Sequence, residues 1–531
     1  MRTILIFPPR TGPTYMPLGV ACLAAVAGSK HIALDLFDAN LDLWNFLCDA
    51  DLSLGAMRDF FRGPLGAFLN PQNYAVNCRS QGEARERIDE LERQAKHYLA
   101  GDGLGDGLRA LLVRQSARIA RNTPEVVAFS AMYLDQLPFL LAQAKYLVRE
   151  LRCGCRIVVG GAAMSALSPA ELLDAAPFVD RILTGEGEIS FGLLLDGRPP
   201  AEIPGCYYRE DGGAVAFTGE PAAPDDLAAL PVPDFSRLIG GGYFNPVPVM
   251  PIYGCRGCKW RRCRFCVHNN SFGRYRRRPA MAVALEMQER RIRTGCRHFY
   301  VVDQYVDSLS LGELADAVLE LGLDCRFQVM ARTSAEYTPA LLAKAARAGC
   351  CWISWGMESG SQDLLDLMNK GTRADSSLEV IKSAADAGIS NLLMMIFGAP
   401  GSNAARLDET FAFLDRAWGR IDGMTASAFV LFDRTAFSRR AAEYGLEILG
   451  GNRILDLEGK PVHDMKLRFR RESEEGRGES PLAAAEIEAW ERRKVWLPPL
   501  PFLGRLCCEH YLLYADAKQE STRPGKRLRS A

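Results

Sequence analysis

Short apolar runs, separated by longer stretches with helical spacing, set the rhythm of the first 240 residues. Residues 3–7 (TILIF) are apolar throughout and stop at Pro8-Pro9, the pattern of a strand buried on both faces of a parallel sheet. Residues 17–27 predict an apolar helix, 32–37 a second strand, 126–130 a third, 136–150 a helix and 157–161 a fourth strand ending in paired glycines. Residues 182–184 then lead into Gly185-Glu186-Gly187-Glu188. Between the second and third strands, residues 49–121 are polar and amphipathic and read as a helical insertion. This alternation predicts an α/β, Rossmann-like doubly wound sheet with its ligand crevice beyond the carboxyl ends of the strands. Ser130, Gly160, Gly161 and the Gly185-Glu186-Gly187 turn fall at such ends. A missing Cβ there lets a large flat ligand approach the backbone, and the same glycines equally suit tight turns.

Residues 204–236 are rich in Pro and Gly and read as turns. From 250 to about 435, strand and helix alternate again, which predicts a partial parallel barrel with its site at the carboxyl ends of the strands. The first strand precedes residue 253, and others are expected at 298–302, 327–329, 352–356 and 392–397. These patterns divide the chain into an α/β domain at 1–200, a hairpin and linker at 201–245, a barrel at 246–435 and a C-terminal cap or tail at 436–531. In the last part, residues 490–501 and 511–514 are expected to cap the barrel mouth, and the basic end from 523 to be disordered. Cys507, Cys508 and His510 read as buried structural residues rather than a second metal site.

The densest chemistry is in residues 253–279, YGCRGCKWRRCRFCVHNNSFGRYRRRP. Cys255, Cys258, Cys263 and Cys266 fall within twelve residues, and the last three read C-x₄-C-x₂-C. Three thiolates on one loop can hold three irons of a cubane cluster and leave the fourth open. A structural zinc site, with Cys255 or His268 as fourth ligand, fits the same spacing, and a disulfide is the third reading. Arg256, Lys259, Arg261, Arg262 and Arg264 are expected to favour thiolate over thiol.

Composition narrows the class. The chain has 531 residues, 48% hydrophobic, with Lys plus Arg equal to Asp plus Glu at 64 each. A balanced charge offers no general field for nucleic acid or anionic membrane. Sixteen cysteines without a recognisable secretory signal suit a reducing cytoplasm. No apolar run reaches the length of a spanning helix.

The segment RGCKWRRCRFC resembles the cluster loop of a cobalamin-dependent branch of the radical S-adenosylmethionine (radical SAM) superfamily. The resemblance implies a 4Fe–4S cluster on Cys258, Cys263 and Cys266, with Cys255 left over. Further along, GMESGS, LMNKGT and FGAPG resemble the family's cosubstrate segments. They imply a SAM site that includes Glu358, Ser359, Lys370, Gly398 and Pro400, with Phe265 from the loop and Asp303 and Arg332 at strand ends. Upstream, ILIFPP, PLG, AFSAMYLDQ, VVGGAAMS and LTGEGE resemble the cobalamin-binding domain fused to such enzymes. They imply contacts from Ser130, Tyr133, Leu134, Gly160, Gly161 and Met164, and from Gly185, Glu186 and Gly187. The family's D-x-H-x-x-G motif is absent, since PPRTGPTYMPLG follows Phe7; cobalamin is therefore expected to bind without a lower histidine, above Tyr133, Leu134 and Met164.

The activity so implied is reductive cleavage of SAM to a 5′-deoxyadenosyl radical, hydrogen abstraction from a substrate carbon, and methyl transfer from methylcobalamin. Rearrangement or cyclisation on the same fold is one alternative, and a non-catalytic iron–sulfur and cobalamin sensor another. The implied partners are a small-molecule or peptide substrate and an electron donor such as flavodoxin or ferredoxin. No nucleic acid or membrane partner is expected.

Overall fold

The structure, a computed structural model, describes residues 1–270, 272–471, 488 and 507–522. It divides into two compact units. The first comprises residues 1–68, 72–246 and 451–465, and the second 69–71, 247–450 and 466–531. The expected cap segment 490–501 and the basic tail from 523 lie outside the described residues.

The first unit is built on a seven-stranded sheet. Five parallel strands, β1 (Thr3–Phe7), β2 (Leu34–Asp38), β3 (Val126–Ser130), β4 (Arg156–Gly160) and β5 (Arg181–Leu183), stand in the order β2-β1-β3-β4-β5. The hairpin β6 (Cys206–Arg209) and β7 (Val215–Phe217) continues it antiparallel, so the 206–217 part of the 201–245 segment is hydrogen-bonded into this sheet. Ile4, Ile6, Val127, Phe129, Ile157 and Val159 face one continuous apolar core. The helical insertion starts earlier than its polarity predicts. Asp38, the last residue of β2, accepts a hydrogen bond from Leu41 N at 2.8 Å and so caps the helix Ala39–Ala50 directly at the strand end. The helix expected over 136–150 is α-helical through Leu137–Lys145 and closes in a π turn, Tyr146–Glu150.

The second unit holds six parallel strands in sequential order. They are β8 (Val249–Ile252), β11 (His298–Val301), β12 (Arg326–Ala331), β13 (Cys350–Glu358), β14 (Ser390–Phe397) and β15 (Gly423–Ala428). Two short strands, β9 (Cys255–Arg256) and β10 (Arg276–Arg277), pair with each other. The sequence reading had no β15, because GMTASA carries no apolar run; it pairs along β14 from Leu392↔Gly423 to Phe397↔Ala428. A long hairpin, β16 (Leu446–Leu457) and β17 (Lys460–Arg471), follows in the chain, and its residues 451–465 belong to the first unit.

The C-terminal helix Cys508–Thr522 corrects one expectation. Its residues 511–514 do not cap the barrel mouth but pack at the opposite end of the sheet. Tyr511 lies edge-on to Trp352 with ring centres 4.4 Å apart. Asp516 bonds His298 at 2.9 Å and Arg326 at 2.6 Å, and Gln519 donates to Cys350 O at 3.0 Å. His298, Arg326 and Cys350 each open a strand, so the helix closes the amino-terminal end and leaves the carboxyl ends to the site. Among the described residues no helix is long and apolar enough to cross a membrane.

Candidate active site

The cysteine loop leaves the carboxyl end of β8 and is pinched at its base by the β9–β10 ladder, Arg256↔Arg276 and Cys255↔Arg277. Gly257 sits inside this pinch at φ +84°, where a Cβ would stand 3.0 Å from Arg274 O, so only glycine fits without strain. A buried triad supports the base from below. Glu286 pairs with both Arg278 (2.6 Å) and Arg290, whose guanidinium groups also donate to Tyr253 O and Pro251 O.

Asp303 is part of this base. Its carboxylate accepts from Gly254 N at 2.8 Å and holds Cys255 as well; burial pushes its pKa up to about 6. Sequence reasoning placed Asp303 with the cosubstrate; the structure uses it to anchor the start of the loop. Cys255 is buried, and its thiol lies 3.7 Å from Tyr305 O. Burial, with Asp303 adding to it, raises that thiol far beyond the ordinary range. His268 is engaged with Gln304 at 3.1 Å.

Beyond its base the loop docks on residues 367–371. Trp260 Nε1 donates to Asn369 O at 2.9 Å, Arg264 N to Met368 O at 2.9 Å, and Arg264 Nη1 to Leu367 O at 2.7 Å. The next residue in that segment is Lys370, and its Nζ lies 2.5 Å from Glu358 Oε1, with both side chains almost wholly buried. Burial pulls the Lys370 ammonium downward, but Glu358 and the sulfur of Cys263 more than offset it, and the group is held above its ordinary value. Glu358 closes β13 at φ +65°, where the pairing with β14 also slips. A non-glycine residue held in that region marks a place where the surrounding structure imposes geometry, as functional sites often do.

The other sequence-predicted residues fall around this pair. Arg332 lies 4.1 Å from the centre of the Trp260 ring and donates to Lys370 O. Phe265 packs on the apolar cluster of Met368, Ala399, Phe429 and Leu431, and the Lys370 ammonium is 5.9 Å from its ring. Gly398 (φ +69°) accepts a hydrogen bond from Arg471, a residue the sequence did not signal, and Pro400 is buried beside it. Ser359 shares its hydroxyl with Thr410 (3.0 Å) and Ser361 N (3.1 Å), so it serves the strand end itself.

Cys258, Cys263 and Cys266 are all partly buried, and Cys266 N bonds Cys263 O at 3.3 Å. Among the described residues no three His, Cys, Asp or Glu side chains stand at metal-binding spacing. The donor set nonetheless suits an iron–sulfur cluster, being three cysteines on one loop. Burial raises the Cys263 thiol to about 11, and the cations opposing this most strongly are Lys370 and Arg332. The loop arginines expected in that role are committed elsewhere: Arg264 to Leu367, Arg261 to Gly273 O, and Arg262 over the Trp260 ring at 5.2 Å.

In the first unit the predicted residues do gather at the carboxyl strand ends, but their glycines serve the chain's own packing. Gly161 has φ +96°, and a Cβ there would stand 2.3 Å from Ala131 O. Gly185 (φ +77°) is covered by Pro221, at 2.5 Å from a built Cβ, while Gly160 faces Leu183 O and Gly187 faces Leu23. Met164, expected beneath the cobalt, is instead a core side chain, 1% exposed among Ala163, Leu167 and Leu172. Leu134 packs against the same core, and Glu186 is buried just before the helix Gly187–Leu195. Ser130, paired in register with Gly160, and Tyr133, 51% exposed, remain accessible. Gln136 was missed by the sequence reading. It is wholly buried, accepts from Met132 N and Tyr133 N, and donates to Pro8 O, tying the ends of β1 and β3 together.

A parallel sheet whose first strand feeds a three-cysteine loop, with a buried Lys–Glu pair at its carboxyl edge, defines the class. Residues 252–414 match the model of the Radical SAM superfamily. Residues 252–414 thus form a radical SAM region, and the fold of the chain is similar to those of cobalamin-dependent radical SAM enzymes. Its structure aligns at TM-score 0.62 and 17% identity with the methyltransferase TsrM of Kitasatospora setae, solved with cobalamin and a 4Fe–4S cluster, over 98% of this chain and 99% of that one. It aligns at TM-score 0.59 and 15% identity with OxsB, solved with aqua-cobalamin and S-adenosylmethionine, over 87% of this chain and 64% of that one. In sequence it is 25% identical over 270 residues to an uncharacterized methyltransferase of Pyrococcus horikoshii, covering 48% of this chain and 57% of the relative. It is 26% identical over 316 residues to the anaerobic magnesium-protoporphyrin IX monomethyl ester cyclase of Rubrivivax gelatinosus, covering 57% of this chain and 56% of the relative. The chain thus spans a little over half the length of these curated relatives.

Proposed function

We propose that the protein is a cobalamin-dependent radical SAM enzyme that transfers a methyl group to a carbon of a small-molecule or peptide substrate. The observation that carries this reading is the buried Lys370–Glu358 pair next to Cys263. A fixed ammonium and a fixed carboxylate beside a cysteine loop suit a cosubstrate that itself carries a carboxylate and an ammonium. When bound, the cluster and SAM supply one-electron cleavage to a 5′-deoxyadenosyl radical, and cobalamin supplies a methyl donor.

The chain's own residues do the holding. Cys258, Cys263 and Cys266 are the candidate cluster ligands. Lys370 offers its ammonium to the cosubstrate carboxylate, and Glu358 accepts from its amine or ribose. Phe265, backed by the buried Met368 and Ala399, presents an apolar face that suits adenine. Ser130 and Tyr133 are the accessible side chains for cobalamin, which rests on likeness to TsrM and OxsB. The reducing electron is assigned to a small carrier of the flavodoxin or ferredoxin kind.

The methyltransferase relative supports methylation, and the Rubrivivax cyclase relative supports radical ring closure as the second reading. Anaerobic reconstitution with reductant, SAM and candidate substrates separates them. Deoxyadenosine release with a product heavier by one CH₂ supports methylation; deoxyadenosine release without that gain supports ring closure or rearrangement. A reconstituted protein that releases no deoxyadenosine with any reductant overturns both and leaves the sensor reading.

A further inference from the structure

We propose that Trp260, in the gap between Cys258 and Cys263, is a positioning residue that sets the Lys370–Glu358 pair against the cysteine loop. The inference rests on the function proposed above and deepens it at the same site.

Three contacts carry it. The indole N–H donates to Asn369 O at 2.9 Å, one residue from Lys370. Two cations lie over the ring, Arg332 at 4.1 Å and Arg262 at 5.2 Å from its centre. Its far edge fills the space where Gly371, on the other side of Lys370, lacks a side chain; a Cβ there would stand 2.1 Å from Cζ2 and 2.3 Å from Cη2. Lys370 is therefore flanked by two residues that both rest on one indole. Asn369 (φ +53°) and Gly371 (φ +67°) are both left-handed, so the backbone kinks around the ring. Arg332 completes the arrangement by also donating to Lys370 O.

The loop is shaped to deliver this ring. Arg261, next to Trp260, is itself left-handed at φ +48°, in the longer of the two gaps between the candidate ligands. The four-residue gap makes room for the indole between the two cysteines that flank it. The ring acts on Lys370 through its neighbours Asn369 and Gly371. Its effect should therefore fall on cosubstrate binding and not on iron.

The test compares Trp260→Phe and Trp260→Ala with the wild-type holoprotein, reading iron content, thermal midpoint, SAM affinity and the change in the reduced cluster's paramagnetic resonance on adding SAM. Trp260→Phe keeps a ring for Arg332 but loses the N–H to Asn369. We expect wild-type iron in Trp260→Phe and SAM binding weaker by about tenfold, the scale of one lost buried hydrogen bond. Trp260→Ala, where it folds, should weaken SAM binding further and shrink the resonance change. Unchanged SAM affinity in iron-loaded Trp260→Phe overturns the proposal. Iron loss in that variant in step with lost SAM binding also overturns it, because the residue then only holds the loop. A wild-type holoprotein that binds iron but no SAM refutes the proposed function instead, a result distinct from either.

Discussion

Lys370 and Glu358 stand 12 residues apart in the chain and 2.5 Å apart in the structure, both almost wholly buried. Leaving one member of such a pair uncompensated is costly, whereas removing both charges together is much cheaper. Lys370→Met should destabilise the second unit by about 3 kcal/mol and Lys370→Met/Glu358→Gln by clearly less. Denaturant unfolding of both variants checks this; equal losses would mean that the pair is solvated.

Glu358→Ala should weaken SAM binding about tenfold to a hundredfold, as expected for one charge-assisted hydrogen bond. The cluster spectrum should not change, since Glu358 belongs to β13 and not to the loop. Titration of reconstituted protein with SAM checks both statements, and an unaltered affinity returns Glu358 to a purely structural role.

Replacing Cys258, Cys263 or Cys266 with Ala should each abolish the cluster and deoxyadenosine release. Cys255→Ala should retain iron, because that thiol is buried at the loop base against Tyr305 O, before the three-cysteine stretch. Iron analysis of the four variants decides the ligand set.

Gly161→Ala should destabilise the first unit by about 2 kcal/mol or more with no cobalamin present, since φ +96° and the Ala131 backbone both exclude a side chain. A variant of normal stability that loses cobalamin would show instead that the glycine makes room for the ligand.

Asp38 gives a pH signature. Burial pushes its pKa up to about 6, against 3.8 ordinarily, although it accepts from Leu41 N and Tyr243. The folded state thus binds the proton more tightly than the unfolded chain. The contribution of Asp38 to stability is greatest below about pH 4 and falls as pH rises through about 6. Asp38→Asn keeps the helix cap and removes the titration, so its stability relative to wild type should climb between those limits and level off above them. Urea midpoints across that range check the sign.

The apolar runs marked four of the five parallel strands of the first unit and five of the six in the second, because burial on both faces of a parallel strand leaves a local, contiguous signature. The exceptions are instructive. β15 is built from GMTASA, and its place depends on pairing with β14, which no local pattern reports. Cysteine spacing likewise fixed attention on one loop, since ligands on a loop are close in sequence by necessity. Residues separated by tens of positions were another matter. Asp303 and Lys370 both follow strands toward the same sheet edge, yet one anchors the loop base and the other faces Glu358 beside Cys263. The glycines of the first unit were visible as punctuation; that Ala131 and Pro221 occupy the space beside Gly161 and Gly185 was not. The helix at residues 508–522 went to the amino-terminal end of the sheet because Asp516 meets His298 and Arg326 there. Sequence determines periodicity, burial and local spacing, whereas the partner of each buried charge and the space beside each glycine are set only when distant segments pack.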